Sequence, residues 1–184
     1  AAIDEERIDD FTHVIADLKT AGGRLFVAGL GGSAANASHA ASDFRNLVNL
    51  DAICLTDNAA ALTAAANDRG WDECLAHVLA ASRPTQDDCL LVMSVGGGSR
   101  VPPVSVPLVR VLESAHAWNM NTLAIVGPRG GIAAESAEVT IRIPISDDRF
   151  TTAHTEVAQA AVWHCLVTHP RIAESEPLWE GLSR

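Results

Sequence analysis

Apolar residues recur along the chain with two different spacings, and segments of the two kinds alternate. Between positions 4 and 20, the apolar residues Ile8, Phe11, Val14, Ile15 and Leu18 follow the spacing of one helix face, and Ala21-Gly22-Gly23 ends the pattern. This spacing is typical of an amphipathic helix that stops at glycine. The next segment, Arg24-Leu25-Phe26-Val27-Ala28-Gly29, is short and mostly apolar, as expected for a buried strand.

The same alternation continues to residue 168. The predicted strands are 24–29, 52–55, 89–94, 122–127 and 139–143. The predicted helices are 4–20, 33–47, 59–66, 71–81, 103–118, 131–136 and 152–168. Strands that alternate with helices at this pitch form a parallel sheet covered on both faces. The sequence therefore predicts the α/β class, as a three-layer sandwich with a five-stranded, mainly parallel sheet flanked by helices.

The composition is that of a globular domain, with 48% hydrophobic and 20% charged residues. No internal repeat or linker divides the chain. We therefore expect one domain, 1–184, with an N-terminal helix at about 4–20 and a C-terminal tail at about 170–184.

The formal charge of −10 narrows the choice of partners, since 13 Lys and Arg stand against 23 Asp and Glu. Nucleic acids and anionic membranes bind basic faces, so we expect neither as a partner. A small anionic ligand remains possible, because the free amides at a helix N-terminus can hold a phosphate.

Cysteine placement and hydropathy favour a cytoplasmic protein. Cys54 and Cys89 lie inside predicted strands and no cysteines form a CxxC pair, which is typical of buried free thiols in a reducing compartment. No apolar run reaches about 18 residues, so we expect no membrane span. No signal-like segment opens the sequence, so we expect no export.

Two glycine-rich loops follow predicted strands. The first loop (residues 29–33) reads Gly-Leu-Gly-Gly-Ser, and the second loop (residues 94–99) reads Ser-Val-Gly-Gly-Gly-Ser. Glycine lets the backbone approach a ligand closely, and the helix after each loop offers unpaired N–H groups. Ligands of open α/β sheets bind at the carboxyl ends of strands. Two such loops suit a phosphosugar, with one loop on the sugar and the other on the phosphate.

Other interpretations of these loops remain open. The first loop also fits a tight turn in which Ser33 caps the next helix. Gly29-x-Gly31-x-x-Ala34 is a loose dinucleotide-binding match, but Leu55-Thr56 stands where that fold places an acidic ribose partner. A Walker A loop is excluded, since the sequence has no Gly-Lys-Ser/Thr.

Two predicted helices carry candidate acid–base and metal-ligating residues. His39 and Asp43 are four positions apart and share a helix face, and Glu156 and His164 lie roughly on one face of the last helix. Together they could bind a divalent metal or move a proton. The alternatives are a solvated His–Asp pair and a core histidine at position 164.

Here the sequence resembles a known family. Gly31-Gly32-Ser33-Ala34-Ala35-Asn36-Ala37-Ser38-His39 is similar to the signature of the sedoheptulose 7-phosphate (phosphoheptose) isomerases of the SIS (sugar isomerase) type. Asn67-Asp68-x-Gly70-Trp71 resembles that family's Asn-Asp-x-Gly-aromatic segment, although a helix terminus with its cap is the plainer interpretation. The second loop takes the place of the family's phosphate loop, and the spacing from Glu156 to His164 resembles its Gln-to-His spacing.

The resemblance implies a SIS-type fold and a role for each matched residue. The substrate-binding residues would be Gly32, Ser33, Asn67, Asp68, Ser94, Gly97, Gly98 and Ser99. The catalytic residues would be Glu156, His164, Asp43 and Asp68. One divalent metal per site, zinc, would be held by His39, Asp43, Glu156 and His164. The resemblance also implies a homotetramer with its sites near subunit interfaces.

The sequence departs from the family at these positions. Asp43 is one methylene shorter than the family's usual Glu, and Glu156 replaces Gln, which adds a second carboxylate. Val95 and Gly96 replace hydroxyl residues, so Ser94, Ser99 and backbone amides remain for the phosphate.

The implied reaction converts sedoheptulose 7-phosphate to D-glycero-D-manno-heptose 7-phosphate through an enediol, as in the heptose branch of carbohydrate metabolism. Glu156 is the first choice of base and Asp43 the second. One alternative is a non-catalytic SIS module that binds a phosphosugar or a regulatory protein. Another is an isomerase of a different ketose phosphate. The presence of His39, Glu156 and His164 favours catalysis.

Overall fold

Five strands and seven α-helices alternate along residues 2–177, which the computed structural model describes. The strands are β1 (Leu25–Ala28), β2 (Ala52–Cys54), β3 (Cys89–Ser94), β4 (Asn121–Val126) and β5 (Val139–Arg142). The helices are α1 (Glu5–Ala21), α2 (Gly32–Val48), α3 (Ala59–Arg69), α4 (Cys74–Ala81), α5 (Val106–Ala117), α6 (Gly131–Ser136) and α7 (Thr151–Val167). Short 3₁₀ helices, Trp71–Glu73 and Asp148–Phe150, precede α4 and α7. The predicted tail, about 170–184, lies outside the described residues from position 178 on.

The five strands form one sheet in the order β2-β1-β3-β4-β5, and every neighbouring pair is parallel. This confirms the predicted α/β sandwich. From β1 the chain goes to β2 on one side and then crosses to β3 on the other, so the strand order reverses between β1 and β3. The first and second loops follow these two strands and therefore lie together at the carboxyl edge, where such sheets bind ligands.

Helices cover both faces of the sheet, and each face has its own core. Alternate strand residues point to opposite sides, so Leu25 and Val27 join one core while Phe26 and Ala28 join the other. Helices α1, α2 and α7 close the first core; α3, α4, α5 and α6 close the second. Each fully buried Leu or Phe contributes about 1.5–3 kcal/mol of transfer free energy. This explains why β3, buried along its whole length, reads as an unbroken apolar run.

Helices α2 and α7 lie side by side and run in the same direction. The start of α2 contacts the first half of α7, where Asn36 donates to the backbone oxygen of Glu156 at 2.9 Å. Further along both helices, His39 meets Trp163 at a ring-centroid distance of 4.6 Å. The small buried residues Ala37 and Ala40 line α2. This α2–α7 pair carries most of the predicted site.

Helix α5 begins later than the sequence predicted. We expected a start near Pro103, but the helix starts at Val106, after a segment closed by two backbone hydrogen bonds between Ser99 and Val104. Proline disfavours helical backbone in the residue before it, so Pro102-Pro103 delays the helix. No helix N-terminus therefore stands directly behind Ser99.

Arg24 and Asp88 form an ion pair at the amino edge of the sheet. The Asp88 carboxylate accepts from the Arg24 guanidinium at 2.8 Å and from the backbone amides of Arg24 and Thr85, both at 2.8 Å. Burial by itself raises the pKa of Asp88, but these hydrogen bonds outweigh it and hold the pKa below the ordinary value. The pair ties the start of β1 to the turn before β3.

Within residues 2–177, no helix is both long and apolar enough to cross a membrane. The four cysteines are free. Cys54, Cys74 and Cys89 are buried, whereas Cys165 is exposed on α7. Burial raises the pKa of the Cys54 thiol, which keeps that group neutral.

Candidate functional site

The first loop is tied into the interior by a residue that the sequence analysis missed, Gln159. Ser33 is buried, and its hydroxyl donates to the Gln159 side-chain oxygen at 3.0 Å. Asn36 donates to the same oxygen at 3.2 Å, and the Gln159 amide donates to the backbone oxygen of Ile125 at 3.4 Å. Gln159 thus joins α2, α7 and β4. The sequence signal that could have revealed Gln159 is its position as a single amide side chain within the apolar stretch of α7.

Glu156 extends to the first loop. Its carboxyl group lies against Gly32, at the start of α2, where an added Cβ would overlap it. A side chain at position 32 would therefore displace the carboxylate. The structure places Glu156 and Ser33 at the carboxyl edge of the sheet, on the seam between α2 and α7.

Part of the second loop is hydrogen-bonded within the protein. The Ser94 hydroxyl accepts from the Gly97 amide at 3.0 Å, and the Ser99 amide donates to Val104 at 2.9 Å. Gly97 packs so closely on Gly130 that a Cβ there would overlap the Gly130 carbonyl. Gly98 is buried in the same way. Within the predicted phosphate-binding stretch, Gly97 and Gly98 are therefore packed against α6 and α5, whereas Ser99 is half-buried and lines a cavity of about 280 Å³ with Pro103 and Val106.

The open part of the second loop is Val95 and Gly96. These two residues line a cavity of about 370 Å³ with Pro128, Arg129, Asp148 and Thr151, which we call the strand-end cavity. It lies beyond the ends of β3 and β4, beside the first turn of α7. Exposed Arg129 supplies a positive charge, and Asp148 supplies a negative one.

Three of the four predicted metal ligands come together. One ligand atom from each of His39, Asp43 and His164 lies within 4.8 Å of the others. The Asp43 carboxylate is 3.8 Å from His39 Nε2 and 4.0 Å from His164 Nε2. We call these three residues the His–Asp cluster. Two imidazoles and one carboxylate are a donor set that zinc binds, with a position left for water or substrate.

Hydrogen bonding fixes which nitrogen of His164 faces the cluster. Its Nδ1 lies 2.7 Å from the backbone oxygen of Ala160. Because a carbonyl oxygen only accepts, Nδ1 carries the proton, and Nε2 is left as the ligand atom in the neutral ring. This is the arrangement that metal-binding histidines usually adopt.

Glu156, the fourth predicted ligand, does not belong to this cluster in the described chain. It precedes His164 by eight residues on α7, a rise of about 12 Å along the helix. Each group is solvent-accessible, and the His39 side chain is 61% exposed. One chain thus carries two separate groups: Glu156 at the first loop, and the His–Asp cluster about two helical turns away.

Asn67 and Asp68 lie apart from both groups. They are exposed in the last turn of α3, where Asn67 donates to Asp68 at 2.8 Å. Asp68 lines a different cavity, of about 390 Å³, with residues of α3 and α4 such as His77. Their role in substrate binding and catalysis remains a prediction.

This sheet, with glycine loops at its reversal point and a polar helix pair beside them, defines a sugar-isomerase (SIS) domain. The SIS-domain family model matches residues 2–127. A phosphoheptose isomerase of Chlorobium phaeobacteroides is 36% identical over 160 residues, which are 82% of this chain and 67% of that protein. One from Chlorobaculum parvum is 34% identical over 169 residues, 86% of this chain and 77% of that protein.

A solved phosphoheptose isomerase from Francisella tularensis has a TM-score of 0.76 at 27% identity. The match covers 88% of this chain and 83% of that one. The chain belongs to the phosphoheptose isomerase family of SIS-domain proteins.

Proposed function

We propose that the chain is an aldose–ketose isomerase that converts sedoheptulose 7-phosphate to D-glycero-D-manno-heptose 7-phosphate. The observation that carries the proposal is the α2–α7 pair, which presents a carboxylate at the sugar-binding edge and a His–Asp cluster in a chain of this family. The expected setting is heptose biosynthesis, within carbohydrate metabolism in the cytoplasm.

The reaction needs a base beside the carbonyl carbon. We assign this role to Glu156, because its carboxyl group lies at the first loop. The carboxylate takes the proton from C1 of the ketose, an enediol forms, and the proton returns to C2 while the O1 hydrogen passes to O2. Such proton transfer contributes about 10²–10⁴-fold to the rate. Asp43 is the second candidate.

We assign the His–Asp cluster to one zinc ion per site. His39, Asp43 and His164 would hold it. A zinc ion bound there would polarise the oxygen of a ketose. The position of Asp43 in the cluster supports its role as a metal ligand. Glu156 lies outside the cluster and is therefore free to act as the base.

The two groups are too far apart in one chain to act on the same carbon, so we propose that each active site lies between two subunits. The Glu156 group of one copy would then face the His–Asp cluster of another. Val157, next to Glu156 on α7, supports this arrangement, since it is 73% exposed. Covering this apolar side chain with another copy would remove it from water, which favours a contact between subunits here. A homotetramer, as the family resemblance implies, would contain such contacts.

For the phosphate we propose the strand-end cavity rather than Gly97 to Ser99. The Val95 and Gly96 segment, the first turn of α7 at Thr151 and the Arg129 guanidinium together favour an anion. Arg129 would replace the hydroxyl groups that the family places at positions 95 and 96. Asp148 opposes a dianion, so it would have to turn away on binding.

The decisive experiment is incubation with a panel of C5 to C7 ketose phosphates, with and without zinc, followed by separation of aldose and ketose products. We expect conversion of sedoheptulose 7-phosphate and its loss after treatment with a chelator. Conversion of a shorter ketose phosphate alone would make the chain an isomerase of another substrate. Binding without conversion would make it a non-catalytic SIS module.

A further inference from the structure

A tryptophan lies beneath the His–Asp cluster. Trp163 is completely buried, and its ring stacks on His164 with a centroid distance of 3.5 Å and an interplanar angle of 27°. The same indole meets His39 edge-on at 4.6 Å. One rigid side chain thus contacts both imidazoles of the cluster, which are themselves 5.5 Å apart.

These contacts restrict both rings from the protein side. His164 is held on one face by the indole and at Nδ1 by Ala160. His39 is more exposed, and no hydrogen bond of its ring nitrogens occurs within residues 2–177 apart from its approach to Asp43. The indole of Trp163 is the nearer of the two aromatic rings that contact His39, at 4.6 Å against 5.5 Å for His164.

The indole N–H is not the part of Trp163 that positions the two histidines. Nε1 of Trp163 is buried without a hydrogen-bond partner among the described residues. A buried, unpaired N–H costs about 1–3 kcal/mol, and a phenylalanine would fill the core without that cost. The cost is offset where the extra width of the indole is needed to reach two rings at once.

We propose that Trp163 is a positioning residue that aligns His39 and His164 for the metal. This inference rests on the zinc site proposed above. Residues that orient ligands without touching the metal typically change metal affinity about 10–100-fold when they are replaced. The aromatic plane, rather than buried volume alone, supplies the alignment.

The test measures zinc affinity by competition with a chromophoric chelator. The absorption spectrum of bound cobalt(II) is measured as well, because it reports on the coordination of the metal. Trp163→Met keeps an adaptable, apolar side chain without a ring, and we expect zinc to bind it at least about tenfold more weakly. Trp163→Phe restores a ring without the full width of the indole, so it should recover part of the affinity. Phe26→Met is the control, since Phe26 is equally buried in the opposite core.

The outcomes separate this inference from the proposal beneath it. A wild-type protein that binds neither zinc nor cobalt(II) overturns the zinc site, and the positioning role with it. Wild-type affinity in Trp163→Met overturns the positioning role alone. So does a Trp163→Phe variant as weak as Trp163→Met, or a Phe26→Met variant that loses as much.

A fluorescence measurement decides the case if Trp163→Met does not fold. Subtracting the emission of Trp163→Phe from that of the wild type isolates the Trp163 contribution. Because the indole contacts both proposed ligands, cobalt(II) should quench this difference signal at the concentration where it fills the site. Trp118→Phe, which replaces a half-exposed indole after α5, should leave the quenching intact. A difference signal that cobalt(II) does not change overturns the proposal.

Discussion

At the scale of single residues, the site shows that two side chains on the same helix face are not always close enough to act together. His39 and Asp43 are one turn apart, and the structure brings them together as their spacing predicted. Glu156 and His164 also share a face, but they are two turns apart, a rise of about 12 Å along the axis of α7. The spacing of two residues on a helix predicts that their side chains point to the same side. It predicts that the side chains contact each other only when the residues are one turn apart.

The two carboxylates therefore have roles that can be separated. Glu156→Gln restores the residue usual in the family and keeps the side-chain shape while removing the proposed base. We expect the turnover rate to fall about 10²–10⁴-fold while bound zinc, measured by elemental analysis, stays unchanged. Asp43→Asn should lose zinc instead. A Glu156→Gln variant that stays active would transfer the role of base to Asp43.

Gly32 offers a second test at this scale. In Gly32→Ala the new methyl group would push the Glu156 carboxyl group away from the first loop. Gly32 is the first residue of α2 and has no positive φ, so alanine fits its backbone. Replacing glycine at such a position stabilises a protein by about 0.4–1 kcal/mol, so stability should stay equal or rise while activity drops. Thermal unfolding and the isomerase assay check the two together. A fall in both would point to misfolding rather than displacement of Glu156.

Arg129 tests where the phosphate binds. Arg129→Met removes the charge and keeps most of the apolar stem. We expect KM for the sugar phosphate to rise at least about tenfold, because a charge-assisted contact is worth about 1.5–3 kcal/mol. Inhibition by inorganic phosphate should weaken in parallel, while zinc affinity stays unchanged. If Ser99→Asp abolishes binding and Arg129→Met leaves KM unaltered, the phosphate belongs at Ser99.

At the scale of helices and strands, the apolar pattern predicted most of the fold. Strand β3 and helix α6 match their predicted bounds, because an unbroken buried run and a flanking Gly-Gly are strong local signals. The predicted start of α5 was wrong. Two prolines and the bridge between Ser99 and Val104 keep the preceding segment out of the helix. The tie from Ser33 through Gln159 to β4 depends on contacts between distant segments, which periodicity does not encode.

The ion pair between Arg24 and Asp88, which joins β1 to the turn before β3, should make the free energy of unfolding depend on pH in the acidic range. In the folded chain the pKa of Asp88 is lowered, so its contribution is complete at neutral pH and is lost as pH falls below about 4 toward the folded value. Asp88→Asn should lower the free energy of unfolding by about 1–3 kcal/mol at pH 7. Urea titrations at pH 7 and pH 3 measure this. The difference between variant and wild type should shrink at pH 3; an equal difference at both would exclude the linkage.

At the scale of the whole molecule, we expect complementation between variants if active sites are shared between copies, as we propose. Glu156→Gln and His164→Ala should each be inactive, but mixing them in equal amounts under conditions of subunit exchange should restore activity. Random pairing leaves about a quarter of the sites with both groups intact. Mass photometry should show the same oligomer throughout. Activity that stays absent in exchanged mixtures would place both groups in one subunit.

The sheet edges bear on how such an assembly can grow. The outer strands, β2 and β5, have three and four residues, which makes them the shortest strands along with β1. Edges this short offer few free backbone groups to another chain, so strand-to-strand stacking is disfavoured. Copies are left to meet through their helical surfaces, where closed symmetry can end the assembly at a fixed number. Edges this short therefore work against fibre growth from strand to strand even when the copies are close together.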